Sequence, residues 1–297
     1  MASVPYAMGW IENPAEVARI QATLPTPLFS ATPANQVVAI PKEVFLWQAY
    51  KKLFGVNPPT KNQGQVGSCV SFGTNTAIRR TMASEIANGE PEEFKDIVEE
   101  ATYGGSRVEV GGQRGSYQDG SVGVWAADFV RKWGVIARGK HGNYDLSEYN
   151  VQLCKKWGAE GVPDELEPTL RLHPVNDTTM VKTWDEAKKA IASGYGLAVC
   201  SNQGFKMQRD SKGVCEPSGS WAHCMAIDGY IEEGEEYGHI DNSWGENAHT
   251  GPVGWGDPPT SGFWARAAVI DRMLRQNDTW AFSKFQGFPA QTLNWLI

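Results

Sequence analysis

The chain has 297 residues, 41% of them hydrophobic and 21% charged, with a formal net charge of −7. That composition fits a globular protein and excludes a general nucleic-acid binder, which needs clustered Lys and Arg; no apolar run approaches the ~18 residues of a membrane helix. The five cysteines (69, 154, 200, 215 and 224) are odd in number and lack C-x-x-C spacing, which argues against a disulfide framework or a zinc site and for a reducing compartment.

Residues 1–37 read as an arm rather than a domain, because "PTPLFSATPAN" is rich in proline and small residues. The start of the chain lacks a basic stretch followed by an apolar run, so no signal peptide is expected. A cytoplasmic location, or one within an intracellularly assembled complex such as a virion, is expected instead. After the Pro-Pro break at 58–59, Cys69 opens a helix whose apolar positions are Val70, Ala77, Ile78, Met82 and Ile86, ending near "NGEP". The Gly-rich stretch 104–123 reads as loop, and "VGVWAADFVRKWGV" as a short helix closed by Gly134. In "TWDEAKKAIASG", Thr183 is a predicted N-cap, Glu186 its capping-box partner and Gly194 the stop. From there on β-prone runs follow, "GLAVCS", "AHCMAIDGYI", "YGHIDNSW" and "GFWARAAVI", separated by Gly and charged turns. Helices first and strands second predict an α+β fold, with two lobes and a cleft between them.

A thiol at a helix N-terminus is favoured as thiolate by the orphan N–H groups and the dipole. Cys69 occupies such a place, after a glycine-containing turn (Gly64, Gly67, Ser68), with the Gln63 amide nearby. A backbone N–H and a side-chain amide together make an oxyanion hole. A thiolate also needs a base. His223 lies in an apolar strand, and the polar turn "EEGEE" folds the chain back so that Asn242 nears it. Asn242 would accept from the imidazole N–H, and Trp244 would shield that bond from water. The remaining cysteines read as structural, with Cys224 in a pocket wall or core. His239 and Asp241 form an H-x-D pattern without a third metal ligand, and His141, His173 and His249 are expected to be exposed.

Three blocks in this order, "NQGQVGSCVSF", "WAHCMAIDGY" and "IDNSWG", resemble the papain-like cysteine peptidases. "IPKEVFLWQ", "DGSVGVWAADFVRKWGV", "TWDEAKKAIASGYGLAV" and "SGFWARAAV" extend the resemblance over roughly residues 38–272. It implies a two-lobed papain-like fold, with a helical lobe at roughly 60–180. An antiparallel β-barrel-like lobe would comprise roughly 181–272 together with a strand region at 38–59, and 273–297 would be a tail. It also implies Cys69 as nucleophile, His223 as base and acid, Asn242 as orienting group, and Gln63 with the Cys69 N–H as oxyanion hole. Substrate backbone would lie along Gly120 and Ser121. Val122, Gly123, Ala222 and Cys224 would border the pocket for the second residue before the scissile bond, and Trp244 would border the cleft.

The chain departs from the family pattern at several places. Val70 stands where the family has Trp, Val66 and Gln118 replace a half-cystine pair, and Ser121 replaces a glycine. About 37 residues leave no room for the family's long inhibitory propeptide. The expected function is hydrolysis of peptide or protein substrates through a Cys69 thioester, without cofactor or metal. The alternative is a retired papain-like scaffold in a structural assembly, docked to copies or other partners through the 1–37 arm and the 273–297 tail. Cleavage of cell-wall peptides is a third reading that no residue singles out.

Overall fold

A computed structural model describes residues 6–296. The first helix, α1 (Pro14–Gln21), begins with Asn13 accepting from the Glu16 N–H and Pro14 fixing the first turn. A short strand β1 (Glu43–Phe45) leads into α2 (Trp47–Phe54). The central helix α3 (Cys69–Ala87) has nearly every residue buried. Next come α4 (Glu99–Gly104), continued by a wide-turned segment at Gly105–Val110, and α5 (Gly123–Trp133). A two-stranded ribbon of β2 (Lys140–His141) and β3 (Tyr144–Asp145) precedes α6 (Val151–Glu160) and α7 (Glu167–Leu170). The second half holds β4 (Asp177–Met180), α8 (Trp184–Ala192), β5 (Leu197–Phe205), β6 (Pro217–Glu233), β7 (Glu235–Asp241), β8 (Phe263–Arg266), α9 (Ala267–Leu274) and β9 (Thr279–Ser283).

The strand pairings are antiparallel, in the order β4-β9-β5-β6-β7-β8, with β1 added alongside β6. The seventeen residues of β6 make this possible. Its first part pairs with β5, and its last part lies between β1 and β7. Among the described residues the two largest apolar cores divide as follows: one gathers α8, α9 and the sheet, the other α1, α4, α5 and α6, with α3 facing both. Helical lobe and antiparallel sheet lobe are thus the α+β arrangement the sequence predicts.

Buried charge ties the lobes together. Arg80 of α3 donates to Asp228 of β6 and Asp241 of β7 at 2.7 Å each, and Asp228 also accepts from His239 Nδ1 at 2.6 Å. The H-x-D pair therefore serves a structural network, and removing one partner from such a network costs about 3–5 kcal/mol. Among the described residues no helix is long and apolar enough to cross a membrane.

Several local expectations change. Residues 105–110 are helical, not loop, because Gly105 and Gly111 are spacers: a Cβ there would fall 2.0 Å from the Phe129 ring and 2.5 Å from that of Trp125. The run "GFWARAAVI" is strand only to Arg266 and then turns into α9, whose Val269, Ile270, Met273 and Leu274 face the sheet core. The strand region 38–59 carries a helix, α2, beside the three residues of β1. Within 273–297 lies β9, inserted between β4 and β5, and Phe288, Leu293 and Trp295 are buried in the same core. Arm and tail both pack against the chain itself.

Candidate active site

Cys69 is the first residue of α3, so its thiol lies at the N-terminal end of a nineteen-residue helix. The preceding loop is fixed from two sides. Gly67 N–H donates to Asp119 at 3.0 Å, and Gln63 N–H donates to the Ser243 carbonyl at 2.9 Å. The second bond, with the bridge between Asn62 and Trp244, fastens the loop of one lobe to the end of β7 in the other. Gln63 is fully buried, and its Oε1 accepts from the Ser243 hydroxyl at 2.7 Å, which leaves Nε2 directed toward the cleft.

On the facing lobe, the β6–β7 hairpin turns at Gly234 with φ +73° and returns Asn242 to His223. Their Nε2···Oδ1 distance is 2.8 Å. Since the Ser243 N–H also donates to Asn242 Oδ1, that oxygen is an acceptor and His223 carries its proton on Nε2. Trp244 stacks on the imidazole with centroids 4.4 Å apart and shields the bond. His223 Nδ1 has no hydrogen-bond partner. Burial pushes the His223 pKa down to about 4, against a smaller upward effect of the Asn242 bond, so the ring is neutral near pH 7.

Asn242 faces a second imidazole. Its Nδ2 donates to His249 Nε2 at 3.1 Å, and His249 Nδ1 lies 3.7 Å from Cys215 Sγ. His249 is buried, not exposed as its Gly- and Pro-rich surroundings predict, because its ring packs 4.6 Å from Phe263 and takes the Asn242 amide. Burial holds its pKa at about 3 and raises that of Cys215 to about 12.

The cleft is filled by the arm. Tyr6 stacks on the outer face of Trp244 at 4.8 Å, and the Ala7 carbonyl accepts from Gln63 Nε2 and Trp244 Nε1 at 3.1 Å each. Gly9 and Trp10 donate to the Ala222 carbonyl at 3.1 and 3.0 Å. Ser121 donates to the Gly9 carbonyl at 2.7 Å and accepts from Ile11 at 2.8 Å, a parallel bridge. Gly9 passes so close to Gly67 that a Cβ on it would lie 1.8 Å from the Gly67 oxygen. Too short for the family's long propeptide, the arm still runs along the cleft with residues 6–11. Its cover buries Cys69 completely and pushes the thiol pKa far up, although N–H groups of Cys224, Gly9 and Val70 partly offset this.

The other residues expected to bind substrate line the same cleft. The Ser121 hydroxyl turns away to Ser106 at 2.9 Å, leaving both of its backbone groups to the cleft. Gly120 is pinned by Tyr103 Oη, which accepts from its N–H, and by Arg107, which donates to its carbonyl. So the helical segment 105–110 positions the strand-like edge. Val122 and Cys224 share an apolar cluster with Cys69 and Trp10, and Gly123 opens α5. Missed from sequence were the roles of Ser243, His249 and residues 6–11. The cap signature "NPAE" at 13–16 was there to be read as the start of α1. Among the described residues no group of three or more His, Cys, Asp or Glu is placed to hold a metal ion.

No family model and no curated protein sequence matches the chain, whereas solved structures do. It aligns with xylellain, a cysteine protease from Xylella fastidiosa, at 15% identity and TM-score 0.57, over 96% of this chain and 94% of that one. The fold is papain-like. Digestive procathepsin L 3 of the Tenebrio molitor larval midgut aligns at 16% identity and TM-score 0.53, over 95% of this chain and 83% of that one. The bromelain protease from Ananas comosus, solved with the E64 inhibitor, aligns at 15% and 0.50 over 82% and 99%. In this papain-like frame, Cys69 stands at the helix mouth of one lobe and His223 with Asn242 on the sheet of the other.

Proposed function

We propose that this protein is a cysteine peptidase that is closed by its own arm until the arm is displaced. The observation that carries this is the His223 Nε2–H bond to Asn242 at 2.8 Å under Trp244, which leaves Nδ1 unpartnered. An unpaired buried ring nitrogen is costly, and a base awaiting a thiol proton accounts for it.

With the arm gone, solvent and the helix end lower the cost of ionising Cys69. The Cys69 proton passes to His223 Nδ1, and Sγ bonds to the scissile carbonyl carbon. The oxyanion then accepts from Gln63 Nε2, released from the Ala7 carbonyl, and from the Cys69 N–H. His223 returns the proton to the departing amine as the C–N bond breaks, leaving a thioester. His223 next takes a proton from water, whose oxygen attacks the thioester and frees the acid and the thiol. Asn242 keeps the Nε2 tautomer throughout. Residues N-terminal to the scissile bond would lie over Ser121 and those after it toward Trp244. The arm runs from Trp244 toward Ser121, the opposite sense, which is consistent with its lying uncut over a thiol.

The test is labelling with an epoxide- or vinyl sulfone-bearing peptide after mild loosening of the arm. Stoichiometric modification at Cys69, lost in His223→Ala, is expected. Peptide hydrolysis that survives Cys69→Ala would end the proposal.

A further inference from the structure

Away from the cleft, at the far end of α3, lies a cavity of about 370 Å³. The last turns of α3 border it, with the loop 91–95, the stretch 172–175 before β4 and the end of β9. Ile78, Val135, Val175 and Phe282 give it an apolar wall and are almost wholly buried. One charged side chain stands among them: Glu85 lines the cavity with only 3% of its surface exposed.

The Glu85 carboxyl group is short of partners. Among the described residues it takes one hydrogen bond, from the Lys284 N–H at a long 3.4 Å. The polar groups beside it are engaged elsewhere. Thr81 Oγ1 donates toward the Ala77 and Phe282 carbonyls, and Ser283 Oγ accepts from the Phe285 N–H. Lys284 Nζ lies 2.7 Å from Glu92 and 3.8 Å from Glu90, and Lys95 Nζ pairs with Glu93. Among the described residues no Lys, Arg or His forms an ion pair with Glu85. Burial pushes its pKa up to about 7, opposed by the N–H and ammonium of Lys284 and reinforced by Glu92 and Glu90.

A desolvated carboxyl group with one weak donor is completed by whatever brings it a charged donor. The surroundings decide the sign of the ligand. Glu85, Glu90, Glu92 and Glu93 outnumber Lys95 and Lys284, and His173, its pKa lowered by burial, is mostly neutral near pH 7. Such an excess draws in cations and repels anions. Among the described residues no cluster of carboxylates is placed to hold a metal ion, so the missing cation is an organic one. The volume is that of a site for a small molecule. We propose that this cavity binds a small organic cation, an ammonium group on an apolar body. The ammonium donates to Glu85, and the body packs on Ile78, Val135, Val175 and Phe282. Glu85 and Cys69 lie on the same helix, about 24 Å apart along its axis. The site is therefore separate from the cleft and does not depend on Cys69 being reactive.

The test titrates the full chain with phenylbutylamine, phenylbutanol and phenylbutyrate by calorimetry at pH 8. The amine is expected to bind at least about tenfold more tightly than the alcohol, and the carboxylate most weakly. Between pH 8 and pH 6 Glu85 takes up its proton, so the amine should weaken by about tenfold while the alcohol does not change. Glu85→Gln should remove both the advantage of the amine and its pH dependence. A diazirine-bearing form of the amine locates the site by peptide mass spectrometry. Label on Met82, Phe282 or residues 172–175 supports the proposal, and label confined elsewhere overturns it. Equal affinity of amine and alcohol, or no binding of the amine at about 10 mM, also overturns it. The three-probe series decides even if Glu85→Gln does not fold.

Discussion

Asn242 stands between two histidines, and their surroundings differ. On one side Oδ1 accepts from His223, in the cleft that also holds Cys69; on the other Nδ2 donates to His249, which lies 3.7 Å from Cys215. Both sides offer a thiol, a neutral imidazole and the same amide. Cys215 lies just before β6 within the β-lobe core, its neighbour His249 is packed on Phe263, and it begins no helix. Cys69 begins a nineteen-residue helix, beside a glutamine amide, beneath a cover that is one strand of arm. Residue types alone do not make a reactive centre. On the peptidase reading, what sets Cys69 apart is a helix end, aimed donors and an arm that can leave.

The sharpest way to break this comparison is to delete each thiol. Cys69→Ala is expected to lower peptide hydrolysis by the arm-loosened protein at least about a thousandfold, with His223→Ala similar, since members of one catalytic unit are lost together. Cys215→Ala should leave the rate within about twofold and cost about 1 kcal/mol of stability in urea unfolding, the price of a small buried side chain. Equal losses from both cysteines would erase the distinction. Asn242→Ala removes the group shared by both sides. A fall of about a hundredfold in kcat with little change in KM is expected, together with about 2 kcal/mol of stability from two unpaired imidazoles.

His249→Ala sharpens the contrast further. It should cost about 2 kcal/mol in unfolding but less than tenfold in kcat, because it touches Asn242 rather than substrate.

The smallest effect is that of pH on arm closure. The His223 pKa is depressed to about 4 by burial against an unperturbed 6.5, so the closed state binds fewer protons than an open, solvated one between those values. Closure is therefore fully favoured above pH 6.5 and weakens as pH falls toward 4. His249, depressed to about 3, adds to this only if opening also exposes it. Alkylation of Cys69, corrected for the falling thiolate fraction, should rise on acidification through that window and lose the trend in His223→Gln.

The geometry of the candidate centre was legible in the sequence where its causes are local. A glycine-containing turn and a helical period mark the mouth of α3. A polar turn between two alternating runs brings Asn242 back to His223. Interactions made across the molecule by backbone groups left no such mark. "AMGW" carries no periodicity that would announce pairing with Ser121 and Ala222, and the spacer role of Gly105 and Gly111 depends on aromatic rings from another helix. His249 was misjudged for a related reason. Gly- and Pro-rich composition speaks for a loop, but burial of that loop was decided by an amide just past β7 and a ring on β8.

Gly9 and Gly67 face each other at the mouth of α3 with room for hydrogen and nothing larger. One residue away on either side are Met8 and Trp10. A slip of the arm by one position would drive a side chain into the Gly67 carbonyl, so the arm seats in a single register and leaves as a unit. Because α1 begins at Pro14 and is fastened to α5 by the Trp125–Glu16 bond, the seated segment is on a tether of a few residues. A tether that short presents the arm to the cleft at an effective concentration on the order of millimolar or above. On the peptidase reading, a substrate must compete with that local concentration, which dilution of the protein does not lower.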